Sequence, residues 1–111
     1  MRLFTILLTL IQRIATGENW IQIGSFLIQF GVVYIDTPVL RAPNEKYGMT
    51  TVTFTKTFSQ PPTVIPGCDI FGGYESSLGV STKTTSTVNL SILHNSPVNF
   101  AYINWIAIGL A

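Results

Sequence analysis

The sequence predicts an all-β fold, an antiparallel β-sandwich of six to seven strands. Apolar and polar residues alternate in several short segments, and this period of two is typical of strands with one buried face. Glycine, proline or asparagine interrupts these segments about every ten residues, as expected for turns between short strands. The segment 100–108 is apolar on both alternating sets of positions, which predicts a strand covered on both faces.

Length and composition indicate one domain that needs either extra burial or a neutral polar surface. The chain has 111 residues, of which 47% are apolar and 10% charged, whereas an ordinary soluble domain is roughly 25% charged. A monomer with so few charges would be hard to keep soluble. Burial of apolar residues at a subunit interface would solve this problem, and so would a neutral surface rich in Ser, Thr and Asn. The net charge is +1 without a basic cluster, which argues against a nucleic-acid partner.

The first segment, 1–17, is apolar and allows several interpretations. Its apolar stretch of about nine residues is too short for a membrane span, which needs ~20. Its charged start and the run Ala15-Thr16-Gly17 imitate a secretory leader. A 3-4-3 apolar seam, typical of a short coiled coil, is formed by Phe4, Leu7, Ile11 and Ile14. We expect a short helix that brings subunits together, with a strand or helix packed on the domain as the alternative. Residues 18–111 then form the sandwich.

The first two predicted strands form a hairpin. The runs "NWIQI" and "FLIQFGVVYI" flank Gly24-Ser25, and glycine adopts the positive φ that the first position of a type II′ turn requires. The next segment, 36–48, is rich in charge and interrupted by Pro38 and Pro43. It is therefore predicted to be an exposed loop.

The middle of the chain predicts a strand, a corner and a second strand. Val52 and Phe54 alternate with threonines, and Phe58 resumes the pattern before Pro61-Pro62 ends it. Another strand begins at 63–65. Pro66 and Gly67 after it indicate a bulge or an edge position, because proline cannot donate to a ladder.

The last third of the chain predicts two strands. The segment "DIFGGYESSLG", 69–79, has the composition of a loop. Val88, Leu90 and Ile92 alternate with polar residues, as in a half-buried strand. "HNSPVN" is predicted to turn, and the doubly apolar segment at the end of the chain is the last strand.

The residues with reactive side chains are isolated in the sequence. Cys68 is the single cysteine and has no basic neighbour, which indicates an inert buried thiol. His94 is the single histidine and has no carboxylate close in sequence, so no catalytic pair or metal site is recognisable. The five acids are scattered, although paired carboxylates need only be near in space. Familiar catalytic motifs are absent, and we expect no enzyme activity, metal or cofactor.

Two predicted loops have side chains suited to binding a sugar. A sugar presents C–H faces that stack on aromatic rings and hydroxyls that bond with short polar groups. Tyr74 and Glu75 offer a ring beside an acid, with packing of Tyr74 on its own sandwich as the alternative. His94, Asn95 and Asn99 offer donors and acceptors in the second loop. A histidine that only faces water is the alternative for His94.

Two motifs in the sandwich resemble known families. A corner of the type Phe-x-x-Pro-Pro-x-Val spans 58–64, and Trp-Ile-Ala-Ile-Gly spans 105–109. Both resemble the H-type lectin domain and the C-terminal knob of bacteriophage tail fibres. The glycine-bounded hairpin "GENWIQIGSFLIQFG" favours the phage knob. The resemblance covers about 18–111 and implies a six-stranded antiparallel sandwich that assembles as a homotrimer and recognises surface glycans.

The galactose site of the H-type lectins is not carried over by this resemblance. Where the family has its tryptophan, tyrosine and arginine, this chain has Leu93, Asn99 and, approximately, Gly79. His94 matches the polar position after the tryptophan, and Asn95 stands where the family has an acid.

The resemblance predicts a phage tail-fibre tip on the virion that binds a host polysaccharide or lipopolysaccharide without cleaving it. Its partners would be that glycan, two further copies of the chain and the rest of the fibre, with neither nucleic acid nor a membrane span. One alternative is a structural module that trimerises or caps a fibre, and another is a secreted lectin of the H type. The expected ligand-binding residues are Tyr74, Glu75, His94, Asn95 and Asn99.

Overall fold

The chain folds into two antiparallel sheets, seen in a computed structural model that describes residues 14–68 and 74–111. The described part contains nine strands and no helix. The predicted all-β antiparallel class is confirmed, while the strand number exceeds the expected six to seven. In chain order the strands are β1 (Ile14–Thr16), β2 (Trp20–Ile23), β3 (Phe26–Asp36), β4 (Val39–Ala42), β5 (Glu45–Thr53), β6 (Thr63–Cys68), β7 (Ser76–Ser81), β8 (Thr87–His94) and β9 (Phe100–Leu110).

Each sheet is built around one long central pairing. The five-stranded sheet has the order β1-β2-β3-β9-β6, and β3 pairs with β9 along all eleven residues of each strand. The four-stranded sheet has the order β4-β5-β8-β7. In this order β6 is an edge strand, so Pro66 lies at an edge position, one of the two alternatives that the sequence indicated.

The hairpin between β2 and β3 forms as predicted. Gly24 has a φ of 62° and starts the two-residue connection between Ile23 and Phe26. The predicted loop 36–48 is wrong over most of its length, because β4 and the start of β5 form a second hairpin there. Pro43 and Asn44 make its turn, and Asn44 takes a positive φ of 68°, which asparagine tolerates better than most residues.

The hydrophobic core lies between the two sheets. It collects the inward positions of β3, β5, β6, β8 and β9, as period-two alternation requires. Val88, Leu90 and Ile92 are all buried, which confirms the strand predicted there. The buried residues are Leu27, Ile35, Val52, Phe54, Phe58, Val64, Val88, Leu90, Ile92, Ala101, Ile103, Trp105 and Ala107.

The two sheets approach each other closely at Gly48 of β5. A Cβ atom at this position would overlap the carbonyl oxygen of Asp36 and lie 2.7 Å from Ile35 Cγ2. Any side chain at position 48 would collide with the end of β3, so this position requires glycine.

The segment from Phe54 to Pro62 is a corner and not the strand continuation that its pattern predicted. β5 ends at Thr53, yet Phe54 and Phe58 both turn inward, with their rings edge to face and centroids 5.2 Å apart. Pro62 is also buried. The apolar positions were thus correctly predicted to be buried, but the backbone between them leaves the sheet.

A buried side chain holds this corner to the five-stranded sheet. Gln29 of β3 donates from Nε2 to the Lys56 carbonyl at 2.7 Å and accepts from the Lys56 N–H at 2.9 Å. The amide therefore satisfies both backbone groups of one residue, as a neighbouring strand would. We call this contact the amide clasp.

The outer face of the five-stranded sheet is apolar and exposed in the single chain. On β3 it carries the even-numbered positions 26–36, and on β9 the even-numbered positions 100–110. Val32 is 65% exposed and Tyr102 is 51% exposed. The last strand was predicted to be covered on both faces; its inward face is covered, and coverage of its outward face stays a prediction.

The N-terminal segment falls mostly outside the described residues. The predicted helix within 1–17 concerns chiefly 1–13, which the structure does not describe. Residues Ile14–Thr16 form β1, which pairs with β2 at the sheet edge. The alternative of a strand packed on the domain holds for these three residues.

Candidate functional site

A cavity of about 330 Å³ opens at one end of the four-stranded sheet. Three strands meet there in register: Lys46 of β5 pairs with His94 of β8, which pairs with Ser76 of β7. The first residues of β5 and β7 and the last of β8 are thereby placed side by side. The lining residues are Glu45, Glu75, Ser76, Ser77, Leu93, His94 and Asn95.

Three of the five sequence-predicted site residues line this cavity: Glu75, His94 and Asn95. Tyr74 directly precedes Glu75 and is 44% exposed, so its ring is not packed away in the core. Asn99 is exposed but does not line the cavity; its carbonyl accepts a hydrogen bond from the Thr37 N–H at 2.9 Å.

The two predicted loops are joined by a pair of hydrogen bonds. The Glu75 N–H donates to Asn95 Oδ1 at 3.0 Å, and the Asn95 N–H donates to the Glu75 carbonyl at 3.3 Å. Asn95 is exposed, and its side-chain nitrogen has no hydrogen-bond partner within the described part of the chain. The pairing fixes the cavity rim and leaves an amide donor for a ligand.

The loop after β8 has a second anchor at Lys46. Its ammonium group donates to the Pro97 carbonyl at 2.7 Å and to the Val98 carbonyl at 3.2 Å. This anchor orders the segment between Asn95 and β9.

His94 is a buried structural residue and not the water-facing loop histidine of the alternative interpretation. It ends β8, and its side chain is almost fully buried. Nδ1 accepts from the Ser96 N–H at 3.2 Å, so in the neutral ring the proton is on Nε2, which lies 2.7 Å from Thr37 Oγ1. Because both ring nitrogens have partners inside the chain, this geometry disfavours direct contact of the ring with a ligand.

The environment of His94 keeps its ring neutral. Burial lowers the pKa of His94 below its usual range, and the positive charge of Lys46 lowers the pKa further. The neutral imidazole ring has a hydrogen-bond partner at each nitrogen. Through its contact with Thr37 it connects the end of β3 to the end of β8. Its geometry is that of a link between the two sheets and not of a base exposed to a substrate.

Four lining residues were not among the expected ligand-binding residues: Glu45, Ser76, Ser77 and Leu93. Glu45 was assigned to a loop, and the turn signal at Pro43-Asn44 could have identified the hairpin that places it here. The cavity thus contains two carboxylates, Glu45 and Glu75, that are thirty positions apart in sequence. No lysine or arginine is among its lining residues.

The described residues contain no group of three or more His, Cys, Asp or Glu side chains placed to hold a metal ion. Within the same residues, no helix is long and apolar enough to cross a bilayer.

Comparison with protein-family models gives no match, and comparison with curated proteins gives none either.

Proposed function

We propose that this chain is the receptor-binding tip of a bacteriophage tail fibre, located on the virion, that binds a host surface glycan without catalysis as a homotrimer. The observation that carries the binding role is the convergence of the two sequence-predicted loops on one cavity. Glu75 and Asn95, nominated separately, are hydrogen-bonded to each other at its rim. The cavity of about 330 Å³ lies at the lower end of the range of small-molecule sites, which is ~300–1,000 Å³.

The chemistry of this rim suits a polyhydroxylated ligand. Carboxylates accept short, strong hydrogen bonds from hydroxyl groups, and Glu45 and Glu75 both line the cavity. The Asn95 side-chain nitrogen and the hydroxyl groups of Ser76 and Ser77 add donors. The exposed ring of Tyr74, next to Glu75, offers a surface on which the C–H face of a sugar stacks.

Single sites of this kind bind weakly, and three copies on one fibre raise the overall affinity through effective concentration. The low charge content of 10% and the apolar outer face of the five-stranded sheet support an assembly of several copies.

A glycan array and a cell-adsorption assay test the binding role. We expect binding to one class of bacterial polysaccharide or lipopolysaccharide. Glu75→Gln should weaken it about tenfold, since a charge-assisted hydrogen bond is replaced by a neutral one. The matched control is Glu18→Gln, the same change at an exposed residue that does not line the cavity; it should bind as the unchanged protein does.

Two outcomes would reject this function. Equal glycan affinity of the Glu75→Gln and Glu18→Gln variants would show that the cavity is not the glycan-binding site. Absence of binding across a broad array of bacterial glycans would favour the second candidate, a structural module that trimerises or caps a fibre. That candidate rests on the exposed apolar sheet face, which suits assembly whether or not a ligand binds.

A further inference from the structure

The outer face of the five-stranded sheet forms one apolar surface with almost no charge. Its central strands, β3 and β9, place large side chains opposite one another: Phe30 pairs with Ile106, and Tyr34 with Tyr102. The strands that flank this pair, β6 and β2, continue the surface, with Ile65 beside Ile106 and Ile21 beside Ile28.

Aromatic rings gather at one end of this surface. Tyr34 stacks on Phe100 with ring centroids 5.7 Å apart and meets Tyr102 edge to face at 5.5 Å. Asp36 is the only charged residue at the outward positions of β2, β3, β6 and β9, and it lies at the end of β3. Its carboxylate accepts a hydrogen bond of 2.8 Å from the Tyr34 hydroxyl. A partner with a charged surface would find almost no opposite charge on this face. A second copy of the same apolar face would be complementary to it.

We infer that this face is the surface on which further copies of the same chain pack. Two eleven-residue strands side by side, with shorter strands flanking them, cover roughly 600 Å² of flat sheet at ~3.4 Å per residue and ~4.8 Å between strands. Stable interfaces bury about 800 Å² of accessible surface per partner, and side-chain relief makes accessible area larger than flat area. The face therefore has the size that a specific interface needs.

Residues 1–13 by themselves are too short a segment to cover the face. Residues 1–13 lie outside the described part. A segment of that length covers only about 200 Å², whether it is a helix ~20 Å long and ~10 Å wide or an extended strand. Most of the surface would stay in contact with water, and patches of ~300–600 Å² are already the largest on typical monomers.

The position of the face fits the proposed binding role. The cavity belongs to the four-stranded sheet, on the other side of the core. Copies that turn their five-stranded sheets toward a shared axis keep every cavity on the outside, and a closed rotational assembly leaves no apolar face open. This inference relies on the proposed function only for the number of copies, three.

The test compares two aspartate substitutions on opposite sheets. Val32→Asp places a charge at the centre of the apolar face, at a residue 65% exposed in the single chain, so the separated chain should still fold. Met49→Asp is the control, an apolar strand residue that is 55% exposed on the outer face of the four-stranded sheet. Sedimentation and light scattering at ~20 μM should show trimers for the unchanged protein and for Met49→Asp, and monomers for Val32→Asp.

A labelling measurement on the unchanged protein does not depend on any variant folding. Tyr102 is 51% exposed in the single chain and Tyr74 is 44% exposed, so both should be nitrated at similar rates if the chain is a monomer. In the assembly we expect Tyr74 to react and Tyr102 to be protected at least fivefold.

Several results would overturn the inference. These are a monomeric unchanged protein, a Val32→Asp variant that stays assembled, equal nitration of Tyr102 and Tyr74, or capture of the monomer by phosphatidylcholine vesicles through this face. Glycan binding separates the two proposals. A monomeric protein that still binds its glycan contradicts the interface and the homotrimer but leaves the binding role. An assembled protein without a ligand contradicts the binding role and leaves the interface.

Discussion

The outer faces of the two sheets differ in chemistry although their strands alternate in the same way. The five-stranded sheet presents residues such as Phe30, Val32 and Tyr102 to its surroundings. The four-stranded sheet instead pairs Thr51 with Asn89 through a hydrogen bond of 2.7 Å. It also ends in the cavity with its two carboxylates.

This difference teaches how far a period-two pattern can be interpreted. Alternation identifies which strand positions point away from the core. The side chains at those positions indicate whether they contact water, a ligand or another protein. A face composed mostly of Thr, Ser, Asn and Glu, with isolated apolar residues such as Met49, meets water or a polar ligand. A face of Ile, Phe and Tyr in a chain with 10% charged residues is larger and more apolar than water-facing surfaces usually are, which is why we propose that further copies pack on it.

The largest effect is expected from forcing the two sheets apart at Gly48. Gly48→Ala should cost roughly 3 kcal/mol or more of unfolding free energy, since overpacking typically costs ~1–3 kcal/mol and here the new methyl group meets the backbone of β3. Urea denaturation measures the change. Assembly should be lost as well, because the outer face of the five-stranded sheet depends on β3 keeping its path.

Gly67→Ala is the matched control for this substitution. Gly67 also lies in a strand, and the nearest atom to its added Cβ, the carbonyl oxygen of Asn104, is 4.0 Å away. A Gly48→Ala protein as stable as Gly67→Ala would show that the sheets do not approach as described.

A smaller effect is expected from pH, through the link between the sheets at His94. Burial lowers the pKa of His94 in the folded chain, whereas an unfolded histidine titrates near ~6.5. Below that value the unfolded chain binds the proton more readily, so unfolding free energy should fall as the pH drops from about 6.5 and change little above about 7.5. Urea midpoints across this range measure it.

The His94→Gln variant serves as the comparison for the pH series, because glutamine keeps a polar group without titrating. Its stability should be lower at neutral pH but should lose the decline below about 6.5. Parallel profiles for the two proteins would mean that other groups cause the pH dependence.

The smallest effect concerns the charge of the ligand at the polar face. Glu45 and Glu75 line the cavity without a basic neighbour in its lining, so a glycan bearing carboxylate or phosphate groups should bind more weakly than its neutral counterpart. At contact in water this repulsion is ~1 kcal/mol, or about fivefold. Calorimetry with matched acidic and neutral oligosaccharides measures it, and added salt should reduce the difference.

The double substitution Glu45→Gln with Glu75→Gln should abolish this discrimination while leaving assembly unchanged. Tighter binding of the acidic ligand by the unchanged protein would contradict the electrostatic assignment of the cavity.

Much of the fold was predictable because local chemistry decides it. Val88, Leu90 and Ile92 alternate with polar residues, so the buried face of β8 follows from strand geometry alone. Gly24 supplies the positive φ of the first turn, and Pro66 lies at a sheet edge, where a missing N–H costs least.

The wrong predictions arose where one signal has two structural meanings. Pro38 and Pro43 were interpreted as interruptions of any regular element, which predicted a loop. Pro43 instead lies in the turn of a hairpin, and the strands of that hairpin tolerate exposed charge. The Thr-Phe alternation before Phe58 predicted a continued strand, and a corner buries the same side chains. Sequence period alone does not distinguish the two.

The candidate site was only partly predictable because it depends on pairing between distant strands. The loops containing Glu75 and Asn95 could be nominated from composition, but their hydrogen bonds follow from the register of β7 on β8. Glu45 enters through β5, and the partners of the His94 ring come from Thr37 and Ser96. None of these contacts has a signature in the local sequence.

The amide clasp has a consequence for how this molecule tolerates heritable variation. The hydrogen bonds of the Gln29 side chain to the corner go to the main chain of Lys56, so they depend on the backbone path of that segment and not on the identity of the side chain there. The exposed side chains of the corner are free to diverge between descendants as long as the number of residues is conserved, whereas Phe54, Phe58 and Pro62 are held by the core. A single insertion there would displace the backbone groups that the glutamine holds, and would be tolerated less readily than several exchanges.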